Sequence, residues 1–255
     1  MTQAPIAMIT GASSGIGEAT ARALADAGYA LILTARRSDK LEALAEKLRA
    51  IGASVHTLVF DVRDEAAVEA AVTSLPESWR SIRVLVNNAG LALGLAPIDK
   101  GNPDHWETML DTNVKGLLHV TRFVLPLINK DGSGHIVNIG SIAGKQVYAN
   151  GAVYCASKYA VDALTQGIRI DLAHIPIRVG SVCPGAVETE FSLVRFEGNA
   201  EKAASVYQGF ENLVAADIAD AICWMISRPK HVNINDIVIM PTAQPNASTI
   251  LRKNA

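Results

Sequence analysis

Apolar residues fall in short blocks along this chain, and the blocks alternate between two spacings. Ile6 to Thr10 is a nearly continuous apolar run that stops at Gly11. From Gly15 to Ala27 the apolar positions take helical spacing, with Ile16, Ala19, Ala23 and Leu24 able to share one face. Gly28 supplies the stop expected just past such a helix. The same signals then repeat. Tyr29–Ala35 reads as a strand and Ser38–Ile51 as a helix. Ser54–Phe60 reads as a third strand, ending at Asp61, and Glu65–Leu75 as the helix after it. Ile82 with Val84–Val86 makes a fourth strand that ends at Asn87-Asn88-Ala89-Gly90. Beyond the midpoint the spacing predicts a helix over about Trp106–Ile128, a strand at His135–Ile139 and a helix beginning near Ala152. A strand at Ile177–Val182, a helix at Ala215–Ile226 and a last strand at Ile234–Met240 complete the series.

Continuous apolar strands joined by helices predict a mostly parallel sheet covered on both faces, because such strands must bury both sides. Right-handed crossovers then give a doubly wound α/β architecture with seven strands. No Pro/Gly/Ser-rich linker or internal repeat divides the chain, so one domain over residues 1–255 is expected. The pattern fails from Gly185 to about Tyr207. This stretch, 185–207, reads as a partly helical insertion over the mouth of the sheet.

Composition narrows the possible partners. Apolar residues make up 49% of the chain and charged residues 19%, which excludes a disordered protein. A formal net charge of -2 gives no electrostatic reason to expect nucleic acid or an anionic membrane as partner. The low charged fraction hints that other subunits cover part of the surface. No segment approaches the ~18 uninterrupted apolar residues of a membrane span, and no basic run precedes the first apolar segment. Cytoplasmic residence is the expectation. Cys155, Cys183 and Cys223 are odd in number and far apart, so they read as reduced packing residues. None of the six histidines has another at metal-site spacing, so no metal is expected, and His231 reads as structural or interfacial. Trp79 and Trp106 read as packing residues.

Chemistry enters at the ends of the strands. Between the first strand and first helix lies Thr10-Gly11-Ala12-Ser13-Ser14-Gly15-Ile16-Gly17. Gly11 permits a tight turn, Gly15 a close backbone approach to pyrophosphate, and Gly17 close helix–sheet contact. Ser13, Ser14 and Ile16 complete this candidate phosphate loop, where exposed amides at a helix start attract an anion. An acidic residue at the end of the second strand would bind a ribose 2'-hydroxyl, but Ala35-Arg36-Arg37 stands there instead. A guanidinium can pair with a 2'-phosphate through two hydrogen bonds, so NADP(H) is favoured over NAD(H). Of the two arginines, Arg37 reads more as an ordinary surface residue. Asp61, next to Val62, sits where its carboxylate can accept from an adenine amino group or cap the following helix.

Tyr154 and Lys158 are four apart in helical text, on one face and about one turn apart. A phenol is a poor base at its ordinary pKa near ~10, and a nearby ammonium favours the phenolate. Ser141 follows the fifth strand and brings a hydroxyl to the same edge of the sheet. Together these residues make the chain resemble the short-chain dehydrogenase/reductase family over nearly its whole length. Thr10–Gly17, Asn87–Gly90, Asn113, Ser141, Tyr154–Lys158 and Pro184-Gly185 all occur in the family's order. The resemblance implies a Rossmann fold and a catalytic tetrad of Asn113, Ser141, Tyr154 and Lys158. It also implies that Asn88, Ala89 and Gly90 border the cofactor, and that Pro184, Gly185, Val187 and Thr189 lie beside its nicotinamide. In the mechanism it implies, Ser141 holds the substrate oxygen and Tyr154 exchanges the proton. Lys158 stabilises the phenolate and orients the nicotinamide ribose, while Asn113 holds backbone and water for proton passage.

Four further segments, Leu75–Trp79, Asn88–Gly94, Asp104–Met109 and Pro229–Asn235, look like the NADP-dependent 3-hydroxy acid dehydrogenases. That branch includes serine 3-dehydrogenase and allo-threonine dehydrogenase activities, and its members are typically homotetramers. A small-molecule substrate would then meet Ser141, Tyr154, Gln146 and Arg195. Arg195 is a cation in the otherwise largely apolar stretch Phe191–Phe196, suited to anchor a carboxylate. It can instead pair with Glu190 or Glu197 or face a neighbouring subunit, with Gln146 providing neutral recognition. Reduction of neutral ketones, diketones or ketoacyl groups is the alternative activity. A non-catalytic cofactor-binding regulator is the alternative from another class, and the intact tetrad argues against it.

Overall fold

Every residue of β1 (Ile6–Thr10), β2 (Ala30–Ala35), β5 (His135–Ile139) and β6 (Arg178–Pro184) is buried. This is why their apolar text is continuous and does not alternate. The computed structural model describes residues 4–253. The remaining strands are β3 (Val55–Val59), β4 (Ile82–Asn87), the short β7 (Val187–Glu188) and β8 (Leu213–Val214), and β9 (Asp236–Ile239). Seven of them form one sheet in the order β3-β2-β1-β4-β5-β6-β9, and every pairing is parallel. The partly exposed β3 and β9 lie at its edges.

Alternate residues of the buried strands serve two separate cores. Ala7, Ile9, Leu31, Leu33, Val84 and Val137 face one core, shared with α1 (Gly15–Asp26), α2 (Ser38–Ala50) and α9 (Ala215–Ile226). Met8, Ile32, Leu85, Ile136 and Val179 face the other, with α3 (Glu65–Thr73) and α5 (Gly116–Val124). Each fully buried Leu or Ile contributes about 1.5–3 kcal/mol, so both helical layers are driven onto the sheet. The chain order reverses on either side of β1, which opens a crevice outside the carboxyl ends of β1 and β4.

The long helix expected over 106–128 is divided. It begins as α4 (Pro103–Leu110), with Asn102 capping Asp104 N at 2.9 Å and proline in the first turn. The Asn-Pro pair is a start signal that the apolar period alone passes over. A π turn at Asp111–Lys115 then precedes α5. Gly116 packs so closely on Val62 that an added Cβ would lie 2.6 Å from Val62 Cγ2. Met109, Asn113, Leu117, Val120 and Val124 are buried at spacings of three and four on both sides of this turn, so the pattern reads straight through it. The other long helix is α6 (Ala152–Asp171). The segment after β6 carries β7, α7 (Phe191–Arg195) and α8 (Ala200–Ser205). Pairing of β7 with β8 ties it to the chain just before α9, a link with no sequence signal. Trp79 and Trp106 pack against apolar clusters. Cys155, Cys183 and Cys223 are free thiols. Among the described residues, no helix is long and apolar enough to cross a membrane.

Candidate active site

The strands all run the same way, so their carboxyl ends open on one cleft of about 600 Å³. Thr10 organises its centre. Its buried hydroxyl donates to Val86 O at 3.4 Å and accepts from Asn88 N and Ala89 N, each at 3.0 Å. Asn88 returns the link by donating from Nδ2 to Thr10 O and Gly11 O, at 2.8 and 3.1 Å. The turn after β4 is thereby clamped to the turn after β1, and Asn88, Ala89 and Gly90 line the cleft. Gly11, Ser13, Ser14, Gly15 and Ile16 line it from the other side. Gly15 has φ 55°, a left-handed conformation that glycine adopts without strain, and Thr189 lies against it. Gly17 differs from its neighbours because it faces away from the cleft. A Cβ there would sit 2.3 Å from Gly11 O, so its role is the close contact between α1 and the loop.

At the end of β2, the two arginines have different surroundings. Arg36 is half exposed and lies 3.6 Å from Asp61. Arg37 donates to Ser14 Oγ at 2.8 Å and Ser13 Oγ at 3.2 Å, and pairs with Glu190 at 2.9 Å. Far from being an ordinary surface residue, it joins the phosphate loop to the segment after β6. Lys40 completes this link at 2.7 Å, and the two cations hold the Glu190 carboxyl below the usual range, Lys40 first. Asp61 lines the cleft beside Val62 but caps no helix. That role falls to Asp64, which accepts from Ala67 N at 3.0 Å. Burial raises the Asp61 carboxyl, yet hydrogen bonds from Arg63 hold it below the usual carboxylate range.

Tyr154 and Lys158 share one face of α6, and both are buried in the wall of the cleft. Ser141 begins the short turn after β5. Its Oγ accepts from Ala143 N at 3.1 Å and donates to Pro184 O at 3.5 Å, and it also bonds the Tyr154 phenol. Lys158 Nζ donates to Ile139 O at 2.9 Å, which fixes it under the carboxyl end of β5. Burial pulls the Lys158 ammonium down to about 8. Burial also pushes the Tyr154 phenol well above its ordinary value, and the Tyr148 phenol adds to the rise. The Ser141 hydrogen bond and the Arg195 charge oppose it. Arg195 is thus a cation beside the phenol that the sequence did not point to.

Asn113 stays out of the cleft. The π turn aims its amide at the backbone, where Oδ1 accepts from Leu91 N and Nδ2 donates to Leu91 O, both at 2.8 Å. The same Nδ2 donates to Ser157 Oγ at 3.0 Å, and Ser157 in turn donates to Tyr154 O at 2.7 Å. Asn113 positions α6 and the chain after Gly90, and its amide touches the reacting groups only through them.

Pro184, Gly185, Val187 and Thr189 line the cleft along the end of β6. Gln244 secures them by accepting from Ala186 N at 2.8 Å, with no room for a side chain at Gly185. Arg195, on α7, reaches across the mouth. Its Cζ lies 5.5 Å from the Tyr148 ring centre and 5.6 Å from that of Tyr154.

Residues 5–199 match the family of short chain dehydrogenases. The chain belongs to this family. It is 46% identical over 250 residues to the NADP-dependent 3-hydroxy acid dehydrogenase of Salmonella typhi, covering 98% of this chain and 100% of the relative. It is 47% identical over 240 residues to sulfoacetaldehyde reductase 2 of Chromohalobacter salexigens, covering 94% and 95% of the two chains. The closed form of a serine dehydrogenase complexed with NADP+ superposes with a TM-score of 0.91 at 42% identity, covering 98% of this chain and 100% of that one.

In this short-chain dehydrogenase the fold brings Ser141, Tyr154, Lys158 and Arg195 to one cleft with the phosphate loop. Gln146 is not brought there. It is exposed, and its Oε1 accepts from Ala247 N at 3.0 Å, so it fastens the C-terminal segment. The paired alternatives for Arg195 are also filled by others: Glu190 by Arg37 and Lys40, Glu197 by His105 at 3.4 Å. Tyr148, Phe191 and Gln244 line the site without having been singled out in the sequence. An aromatic residue six before Tyr154 had a weak local signal. Gln244 had none.

Proposed function

We propose that this short-chain dehydrogenase uses NADP(H) to interconvert a hydroxyl and a carbonyl on small 3-hydroxy acids. The observation that carries the substrate class is Arg195, a guanidinium held over the Tyr154 ring whose buried Nη2 has no hydrogen-bond acceptor in the protein. An unpaired buried donor of this charge is costly unless something negative meets it, and a carboxylate fits its fork. The relatives described above carry names that specify a 3-hydroxy acid and a sulfonated aldehyde. Both put an anionic group close to the reacting carbon.

A dinucleotide suits the cleft. Its volume falls in the ordinary range of about 300–1,000 Å³ for ligand sites, and Gly11 and Gly15 bring side-chain-free backbone to its wall. Gly11 through Ile16 would hold the pyrophosphate, Arg36 the 2'-phosphate, Asp61 and Val62 the adenine side, and Asn88–Gly90 the middle. Pro184, Gly185, Val187 and Thr189 would border the nicotinamide, which when bound supplies or accepts the hydride. Arg36 is the better reader of the 2'-phosphate because Arg37 is committed to Glu190 and the two serines.

The chain's own groups then divide the acid–base work. Ser141 Oγ holds the substrate oxygen, and the Tyr154 phenol beside it gives or takes the hydroxyl proton. Lys158, anchored on Ile139 O, contributes an ammonium whose lowered pKa makes it ready to pass a proton onward. Asn113 keeps α6 and Leu91 in register. We assign the assembly as a homotetramer in the cytoplasm. Supporting this are exposed Ile170 and Tyr159 on α6 and Leu118 on α5, which give neighbouring copies apolar surface to cover, and three free thiols.

The test compares kcat/KM for a 3-hydroxy acid and for its neutral methyl ester in Arg195→Met. A loss of at least about tenfold confined to the acid supports anchoring. Equal losses, or none, remove Arg195 from substrate choice. Tyr154→Phe should lose at least about 100-fold in turnover on either substrate.

A further inference from the structure

Arg195 is held so that its charge is shared between two phenols. Its Cζ stands 5.5 Å from the Tyr148 ring centre and 5.6 Å from that of Tyr154. The residue is fixed at both ends by Gly94: Nε donates to Gly94 O at 3.2 Å, and its own carbonyl accepts from Gly94 N at 2.9 Å. Nη2 is buried without an acceptor in the protein, Glu190 is paired with Arg37 and Lys40, and Glu197 faces His105. A cation beside a phenol favours the phenolate unless a closer anion cancels it, and no carboxylate is paired with this one among the described residues.

Of the other groups facing Tyr154, only Lys158 carries a basic side chain. Ser141, after β5, offers a neutral hydroxyl, and Phe191, on α7, brings a neutral ring at 5.7 Å. Tyr148, before α6, brings a phenol whose ionisation would oppose that of Tyr154, and Cys155, on α6, brings a thiol. Lys158 is a second basic group, on the next turn of α6, with Nζ donating to Ile139 O, so the contribution of Arg195 is read as the change made by its removal alone.

We propose that Arg195 is a positioning residue for proton transfer as well as a substrate anchor, its guanidinium favouring the phenolate of Tyr154. This rests on the reading of Tyr154 as the proton-transferring group. The same cation then does two things. It grips an acid substrate, and before substrate binds it biases the phenol toward giving up its proton.

The measurement is the pH dependence of kcat/KM for alcohol oxidation at saturating NADP+, whose acid limb belongs to the enzyme before substrate binds, so either the acid or its ester reads it. Charges about 6 Å apart couple by about 0.5 to 2 pH units as the effective dielectric falls from about 80 to about 20. Arg195→Met should move the acid limb to higher pH by an amount in that range. Arg195→Lys, which keeps the charge, should bring the limb back toward that of the unaltered enzyme. A limb that stays in place in Arg195→Met, whatever the fall in activity, overturns the proposal, because a purely structural role lowers the profile without displacing it. If Tyr154→Phe keeps near-normal turnover, the reading of the whole site fails and this proposal fails with it. If Tyr154 is essential and the limb does not move, only the proposal about Arg195 fails.

Discussion

Lys158 should make the folded protein less stable than it would be without a charge there. Its ammonium is buried, and burial lowers it from the ordinary 10.5 to about 8. A gap of that size corresponds to about 3 kcal/mol of folding free energy lost wherever both states are protonated. The bond from Nζ to Ile139 O returns about 1 kcal/mol. Lys158→Met keeps an unbranched side chain, removes the charge and leaves Ile139 O without that donor. The variant should therefore be about 2 kcal/mol more stable at pH 7, a rise of about 4–8 °C in Tm for a chain of this length. Between about 8 and 10.5 the unfolded chain still holds the Lys158 proton while the folded protein has released it, so the unaltered protein gains stability relative to the variant as pH rises. The advantage of the variant should shrink across that window and reverse by about 1 kcal/mol above it. Urea denaturation of both ligand-free proteins at pH 7 and pH 10 measures this, with protein concentration held constant because assembly contributes to stability. A variant that is less stable at pH 7, or a difference that does not change with pH, would refute the reasoning.

Three further outcomes follow from the geometry. Thr10→Val keeps the shape but leaves Ala89 N without its acceptor, while Asn88 N retains Val86 O at 3.1 Å, so stability should fall by about 1–3 kcal/mol with weaker cofactor binding; a loss under about 0.5 kcal/mol in denaturation would show the clamp to be idle. Arg36→Gln should weaken NADP(H) by about 10- to 100-fold and NAD(H) little, read by fluorescence titration of each cofactor, and equal weakening would assign Arg36 to the loop alone. Gly94→Ala places a Cβ 3.0 Å from His105 Nδ1 at φ 65°, which should displace Arg195 and cost the acid substrate more kcat/KM than its ester; identical losses would separate Gly94 from substrate choice.

What could be seen in the sequence was local or repeated. The seven strands and the phosphate loop are written in contiguous residues, and Tyr154 with Lys158 needs only one helical turn. Residues whose surroundings come from distant parts of the chain could not be placed that way. Gln146 turns to Ala247, 101 positions away, and Arg37 turns to Glu190, 153 positions away, so both have different partners from those their neighbours in sequence suggest. The π turn at Asp111–Lys115 was hidden for a different reason, since helical spacing on both sides of it continues unbroken. Its function, presenting Asn113 to Leu91, depends on a contact 22 residues back in the chain.

The two halves of the site are held by different means, and this bears on how its activity can vary. The acid–base groups are fastened to the sheet. Lys158 is tied to Ile139 in β5, Asn113 to Leu91 just past β4, and a buried chain of hydrogen bonds runs from Thr121 through Asn87 and Asn138 to Thr165 beneath them. Such a network tolerates little movement, because each lost partner leaves a buried polar group unsatisfied. Arg195 stands instead on α7, a helix of five residues, too short to be stable alone. Its position depends on Gly94 and on Ser192, whose hydroxyl bonds Tyr207 at 2.7 Å, with Tyr207 in turn bonding Val187 O at 3.0 Å. Substitutions in this segment can therefore change which substrate is gripped while the sheet keeps the proton-transfer groups in place. The exception is Arg195 itself: if its charge serves both the substrate and Tyr154, as proposed, a change of substrate class made at this one position should also change the pH at which the enzyme works.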